Sequence, residues 1–258
     1  MISNRNVESD LPTYQEFWPP VALRPFLECS WILRASPQGK TTVKRVLPDG
    51  CTDLYAIDKT LTVAGPATRH TLVLLDPRQV AVGVRLRWGA APAIFGLPAN
   101  EIVDCVVPAD SVWGTLGRRV SEVFFEQNDS SAQLSVIHSE LRRRLKRAQG
   151  HAVMDWIVTH AAECLARRPD EMKVSDLADS LGLSERQLQR RFLHSVGYGP
   201  KRLARILRFQ RLLALVHDHR PSPEWAALAL DAGYADQAHM VNEVKALAGV
   251  SPTAFLSR

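Results

Sequence analysis

Arg186, Gln189 and Arg190 are the residues whose types and spacing point most directly to chemistry, and that chemistry is recognition of base edges. A planar Arg fork matches guanine O6 and N7, and a Gln amide matches adenine N6 and N7. They lie in a segment that reads as a capped helix. Ser184 is a cap residue and Gln187, three positions on, completes a capping box. Leu188 and Phe192 fall one turn apart and form the inner face. Glu185, Arg186, Gln189, Arg190 and, nearer the edge, Arg191 remain outward. The preceding stretch supplies the element that positions this helix. Leu177 and Leu181 share a face, and Gly182 suits the left-handed conformation that ends a helix. Val174–Gly199 therefore reads as helix, tight turn, helix, the geometry that places a second helix in a major groove. Taken alone, it is equally an ordinary helical hairpin with a solvated basic face.

A repeat favours the first reading. From Ser184, Leu188 lies at +4, Phe192 at +8, Gly197 at +13 and Pro200 at +16; from Asp236, Met240, Val244, Gly249 and Pro252 fall at the same offsets. Each frame opens on a capping side chain and closes with Gly and then a Pro suited to a helix start. Between the copies, Pro200 to about Val216 reads as one long helix. Its apolar stripe is Leu203, Ile206, Leu207, Leu213 and Leu215, and Arg202, Arg205, Arg208 and Arg211 run along a drifting face. At 1.5 Å per residue such a helix is roughly 25 Å long, and could hold two readers nearly one DNA turn, about 34 Å, apart.

With these residues in place, the sequence resembles the AraC/XylS family of bacterial transcription regulators. The resemblance rests on LADSLGLSERQLQRRF, GYGPKRLARILRFQRLLALV and ALDAGYADQAHMVNEVKALAGVSPTAF, and covers about 172–255. It implies two helix-turn-helix subdomains joined by a long helix. It also implies base reading from Arg186, Gln189 and Arg190 in the first copy and from Gln237, Ala238 and Asn242 in the second. Ser184, Gln187, Arg191 and Arg202 complete the candidate DNA contacts. The second copy departs from the family: the usual Phe-x-Arg-x-Phe-Lys run is Met240-Val241-Asn242-Glu243-Val244-Lys245, so Asn replaces a key Arg and Glu243 stands beside it.

Charge follows the same asymmetry. Residues 172–216 carry nine Lys/Arg against three Asp/Glu, a net +6, whereas 217–258 carry three against five, a net −2. Phosphate neutralisation dominates DNA affinity, so the first copy and the long helix are expected to supply most of the binding. The whole chain of 258 residues has a formal net charge of +5 and a 46% hydrophobic fraction, which suits one or two packed globular domains. The four cysteines, at 29, 51, 105 and 164, lack CxxC or zinc-finger spacing. With no signal peptide, the expectation is a reducing cytoplasm and free thiols. No apolar run approaches the ~18 residues of a membrane helix. The eight His show no metal spacing, and no cofactor is expected.

Residues 12 to about 113 differ. Apolar runs at Leu27–Leu33, Thr42–Leu47, Thr52–Ile57, Leu61–Ala64, His70–Leu75 and Gln79–Leu86 alternate with Gly- and Pro-rich turns, the pattern of a small sandwich or barrel. Residues 1–138 hold thirteen Lys/Arg and fourteen Asp/Glu, so this half is not the DNA-binding half. LPDGCTDL, Gly65-Pro66 and GVRLRWGAAPAIFGLPANEIVD resemble a sensor domain found ahead of AraC-type readers, which implies a β-barrel related to cupin-like domains and an unidentified small-molecule effector. Trp31, Trp88, Asp49, Asp53 and Arg85 are candidate ligand contacts; Trp18 and Trp113 are further candidate walls, and Arg87 a further polar anchor. A Trp in a small barrel is usually core, and Arg85 and Arg87 alternating with Val84 and Leu86 usually mark a solvated face.

Residues 114 to 168 read as helical, with Leu116, Val120, Val123 and Phe124, then Leu134, Ile137, Leu141 and Leu145, at helical spacing. The basic run Arg142–Arg147 reads as a solvated helix end or a minor DNA attractor. The helix carrying Met154, Ile157, Ala161 and Leu165 is expected to end at Arg168-Pro169.

The expected architecture is thus α+β. A mostly-β barrel sensor (1–113) and a helical connector with possible homodimer contacts (114–150) precede an all-α double helix-turn-helix domain (151–258). The function that follows is a ligand-responsive regulator that binds double-stranded promoter DNA, with RNA polymerase a further partner and no membrane attachment. Two alternatives stand beside it. One is a DNA-repair alkyl-acceptor protein with a reactive Cys, and the other a regulator whose acidic second unit docks a protein through Glu243.

Overall fold

The structure is a computed structural model that describes residues 12–36, 39–147, 154–167, 173–218 and 224–256. The Arg168-Pro169 helix end read from the sequence lies outside them. The described residues form eight strands: β1 (Thr13–Phe17), β2 (Leu27–Arg34), β3 (Thr42–Val46), β4 (Thr52–Ile57), β5 (Thr60–Ala64), β6 (Thr71–Leu75), β7 (Val80–Leu86) and β8 (Val106–Pro108). Six form one antiparallel sheet in the order β1-β2-β7-β4-β5-β8, and β3 pairs with β6 in a separate two-stranded ribbon. The expected barrel is therefore open. Pro66 follows β5 and Pro108 ends β8, and proline cannot donate to a ladder that would extend the sheet further.

The large sheet has two unlike faces because its strands alternate. In β4, Thr52, Leu54 and Ala56 are buried while Asp53, Tyr55 and Ile57 are half-buried. Asp58 and Lys59 both take positive φ, closing the β4–β5 hairpin with the twist that a two-residue loop requires. Leu54, Val84 and Leu86 face a core shared with four helices: α1 (Ala91–Phe95), α2 (Ala109–Trp113), α3 (Thr115–Phe125) and α4 (Ser130–Arg147). Phe124, Ile137 and Leu141 complete it, each at most 1% exposed. The α3–α4 hairpin is thus packed on the sheet and shares one core with it. Within that core the Ser30 hydroxyl and His138 Nε2 lie 2.8 Å apart.

The other half is helical: α5 (Trp156–Arg167), α6 (Val174–Ser180), α7 (Glu185–Val196), α8 (Pro200–Asp218), α9 (Trp225–Asp231), α10 (Gln237–Ala248) and α11 (Pro252–Leu256). One core unites them. Leu188 and Phe192 of α7, Leu203, Ile206, Phe209 and Leu212 of α8, and Met240 and Val244 of α10 are all at most 2% exposed. The buried stripe of α8 differs from the one read in sequence. Phe209, Leu212 and Val216 carry it with Leu203, Ile206 and Leu207, whereas Leu213 and Leu215 are only partly buried. The long helix is packed on both helix-turn-helix units, so its inward face is wider than a single amphipathic stripe.

Candidate nucleic-acid interface

The first unit is α6, a turn and α7. Gly182 (φ 65°) allows the turn, and the Leu183 N–H donates to Ala178 O at 3.0 Å. At the start of α7 the capping box forms: the Gln187 N–H donates to Ser184 Oγ at 3.3 Å, and the Ser184 N–H donates to Gln187 Oε1 at 2.9 Å. The second unit repeats this with α9 and α10. Gly233 (φ 91°) makes the turn, and the His239 N–H donates to the Asp236 carboxylate at 2.7 Å. Both reading helices close on a left-handed glycine, Gly197 (φ 97°) and Gly249 (φ 71°), at the same offset in the repeat. Pro200 and Pro252 then open the next helices.

With Leu188 and Phe192 fixed inward, Arg186, Gln189 and Arg190 are exposed on the opposite face of α7. The Gln189 amide leans over Gly199, in space that a Cβ there would need. Ser184 and Gln187 are exposed and engaged with each other as the cap. Arg191 turns to the edge and pairs with Asp155 at 2.8 Å, tying α7 to the start of α5. Arg202 is exposed on the first turn of α8. Gln237, Ala238 and Asn242 are exposed on α10.

The basic face of α8 is partly engaged within the molecule. Arg205 Nε lies 2.7 Å from Glu243 Oε1, and the Arg208 guanidinium sits 5.5 Å from the Tyr234 ring centroid. Glu243 is turned inward, its side chain 14% exposed, and is not displayed beside Asn242 as a separate acidic docking point. This pair is not legible from residue spacing, because its partners lie 38 positions apart on different helices.

In the β domain, four of the five candidate ligand residues converge on the face of the large sheet away from the helices. Trp31 Nε1 donates to Asp53 Oδ1 at 3.2 Å. Arg85 lies 3.2 Å from the Asp49 carboxylate, 3.3 Å from that of Asp53 and 4.0 Å from that of Glu16. Burial works against the Arg85 guanidinium, but Asp53 and Asp49 outweigh it and hold it charged. Burial pushes the Asp53 carboxyl up, while Arg85 opposes the rise. Tyr14 and Tyr55 flank Trp31 with ring centroids 6.0 and 5.9 Å away, and Lys44 Nζ of β3 lies 5.5 Å from the Tyr14 centroid. Tyr14, Glu16, Lys44 and Tyr55 were not among the sequence candidates, although alternation places Tyr55 on the face of Asp53. Trp88 lies apart from this group, against Gly50 and Tyr198 where the β domain meets α8. Trp113 is core, stacked on Phe95, and Trp18 is exposed.

Two of the thiols, Cys29 and Cys51, are poorly suited to nucleophilic work. Burial pushes Cys29 up to about 12 and Cys51 well above the ordinary range, with Glu16 and Asp49 respectively adding to the rise. Among the described residues no group of three or more His, Cys, Asp or Glu is placed to hold a metal, and no helix is long and apolar enough to cross a membrane.

Residues 177–258 match a family model described as a helix-turn-helix domain, and residues 15–108 match one described as a domain of unknown function, DUF6597. No curated protein matches the chain. The chain is similar to the solved structures of ToxT from Vibrio cholerae. For strain O395 the identity is 13% and the TM-score 0.44, over 84% of this chain and 96% of ToxT. For the same protein bound to (E)-4-(8-methylnaphthalen-1-yl)but-3-enoic acid the values are 14% and 0.46, over 84% and 98%. For unsaturated fatty acid-bound ToxT they are 13% and 0.42, over 88% and 93%. The chain thus carries two repeated capped helices, α7 and α10, inside the region that matches the helix-turn-helix model, behind a region that matches DUF6597.

Proposed function

We propose that the protein is a cytoplasmic, non-catalytic one-component regulator. The first helix-turn-helix reads bases through Arg186, Gln189 and Arg190 and supplies most of the affinity. Lys201 and Arg202, exposed on the first turn of α8, supply phosphate contacts, while Gln237, Ala238 and Asn242 of the second unit add shape and backbone contacts. The observation that carries this reading is the exposed Arg186/Gln189/Arg190 face of a helix whose back is fully buried. The direct test is selection of duplexes from a random library by the full-length protein, followed by titration against salt. Binding that is sequence-selective and weakens with salt is expected; protein that attaches to no duplex would end the reading.

The β domain, in this proposal, senses a small molecule on the Trp31–Asp53–Arg85–Asp49 face. Carboxylates there (Glu16, Asp49, Asp53) outnumber cations (Arg85, Lys44), and three aromatic rings stand beside them. That chemistry favours an organic cation on a flat or apolar body, since aromatic faces and carboxylates both stabilise positive charge. A thermal-shift comparison of matched aromatic amines and carboxylates is expected to raise Tm with the amines, and the rise should vanish in Asp53→Asn. A rise with carboxylates alone would overturn the ligand class.

A further inference from the structure

The β domain grips the DNA reader at two equivalent points. The C-terminal end of α7 meets it at Gly197, where an added Cβ would lie 2.7 Å from Val103 Cγ2 and 2.8 Å from Pro66 Cγ. The C-terminal end of α10 meets it at Leu247 and Ala248: the His70 N–H donates to Leu247 O at 2.8 Å, and the Arg45 guanidinium donates to Ala248 O at 2.7 Å. The His70 imidazole also covers Gly249. Gly197 and Gly249 are the same position of the repeat, so one domain holds the matching ends of both reading helices.

Pro66 and His70 belong to a single six-residue loop, Gly65–His70, between β5 and β6. Four residues of extended chain span at most about 14 Å, so this loop ties the two helix ends to one another at short range. The loop is itself braced. The Gly65 N–H donates to Cys105 O at 2.9 Å, and the Thr68 N–H and hydroxyl each donate to the Asp104 carboxylate at 2.6 Å. The long helix α8, packed against both units, is one connection between them. A second connection through the loop closes the figure.

We propose that Arg45, Pro66 and His70 of the β domain are positioning residues for the reader, fixing the spacing and phase of the two recognition helices and so the separation of operator half-sites that the protein accepts. This rests on the DNA-reading function proposed above. It also gives the effector face a route to the DNA. Lys44 points to Tyr14 on that face, while the adjacent residue on β3, Arg45, points to Ala248.

The test uses the full-length protein and a duplex selected by it from a random library, together with the same duplex carrying one or two extra base pairs between the half-sites. One base pair displaces a half-site by about 3.4 Å and rotates it. The wild type should lose tenfold or more in affinity per inserted pair. Arg45→Ala, and independently Thr68→Val, which frees the loop from Asp104, should bind the parent duplex within a few-fold of wild type and lose about threefold or less per inserted pair. Equal spacing penalties in wild type and both variants would overturn the proposal while leaving DNA reading intact. A wild type that binds no duplex would overturn the DNA-reading function and this inference with it. Loss of folding by either variant is read from its melting curve, and the other variant then decides.

Discussion

Arg205 on the long helix and Glu243 on the second reading helix face each other at 2.7 Å, with Glu243 largely buried. Glu243 of the second unit is therefore a clamp between α8 and α10. Neutralising Glu243 leaves Arg205 without this partner, and its 40% exposed side chain is partly compensated by water, which keeps the cost modest. Glu243→Gln is expected to cost about 1 kcal/mol, lowering Tm by about 2–4 °C for a chain of this size. Calorimetry checks the loss. A variant that kept its Tm and gained DNA affinity would instead put Glu243 at the DNA surface.

Arg190 and Asn242 occupy exposed faces of the two reading helices, in segments of opposite net charge. Arg190→Ala is expected to weaken binding to a selected operator by about 1–3 kcal/mol, the scale of one bidentate base contact, and Asn242→Ala by less. Fluorescence-anisotropy titrations at one fixed salt concentration measure both. Equal losses would mean that the second unit reads bases as strongly as the first.

His138 lies in the β-domain core beside Ser30, and burial, assisted by Arg142, lowers its pKa to about 4. A free histidine titrates near 6.5, so the unfolded chain takes up this proton before the folded one does. The native state is at full strength above about pH 6.5. It loses stability as pH falls from there towards 4, by roughly 2–3 kcal/mol, because the neutral ring must be charged in place or released. Denaturant melts at pH 7 and pH 4.5 should show this loss in the wild type and a smaller one in His138→Gln. An unchanged pH slope in the variant would shift the cause to other groups.

Gly182 and Gly197 both have positive φ but meet different surroundings. A Cβ at 182 would touch nothing within 4 Å, whereas one at 197 would collide with Val103 and Pro66. Gly182→Ala should cost about 1–2 kcal/mol of backbone strain. Gly197→Ala should cost more and loosen the contact between the two halves. Limited proteolysis between them, faster in Gly197→Ala than in Gly182→Ala, is the expected signature.

Much of the reader is legible in the sequence because its determinants are local. The capping pair Ser184/Gln187, the caps at Asp236, Gly197 and Gly249, and the prolines that restart helices act within a turn or two of themselves, and all fall where the repeat places them. Six strands of the β domain are legible for the same reason, within a residue at most ends. β1 and β8 are not: β1 is exposed along its whole length and β8 has three residues, so neither shows a buried period. What sequence spacing cannot reveal is which exposed-looking charges are engaged across the fold. Arg45 meets Ala248, Arg191 meets Asp155 and Arg205 meets Glu243 over separations of 203, 36 and 38 positions, where no periodicity operates.

The braced turn between β5 and β6 has a consequence for how such proteins can be recombined. Surface loops ordinarily accept insertions at small thermodynamic cost, yet this one touches both halves of the reader, so its length acts as a gauge. A chimera that transplants the β domain onto a foreign double helix-turn-helix reader would need that loop cut to suit its new host, even where every strand and helix is kept.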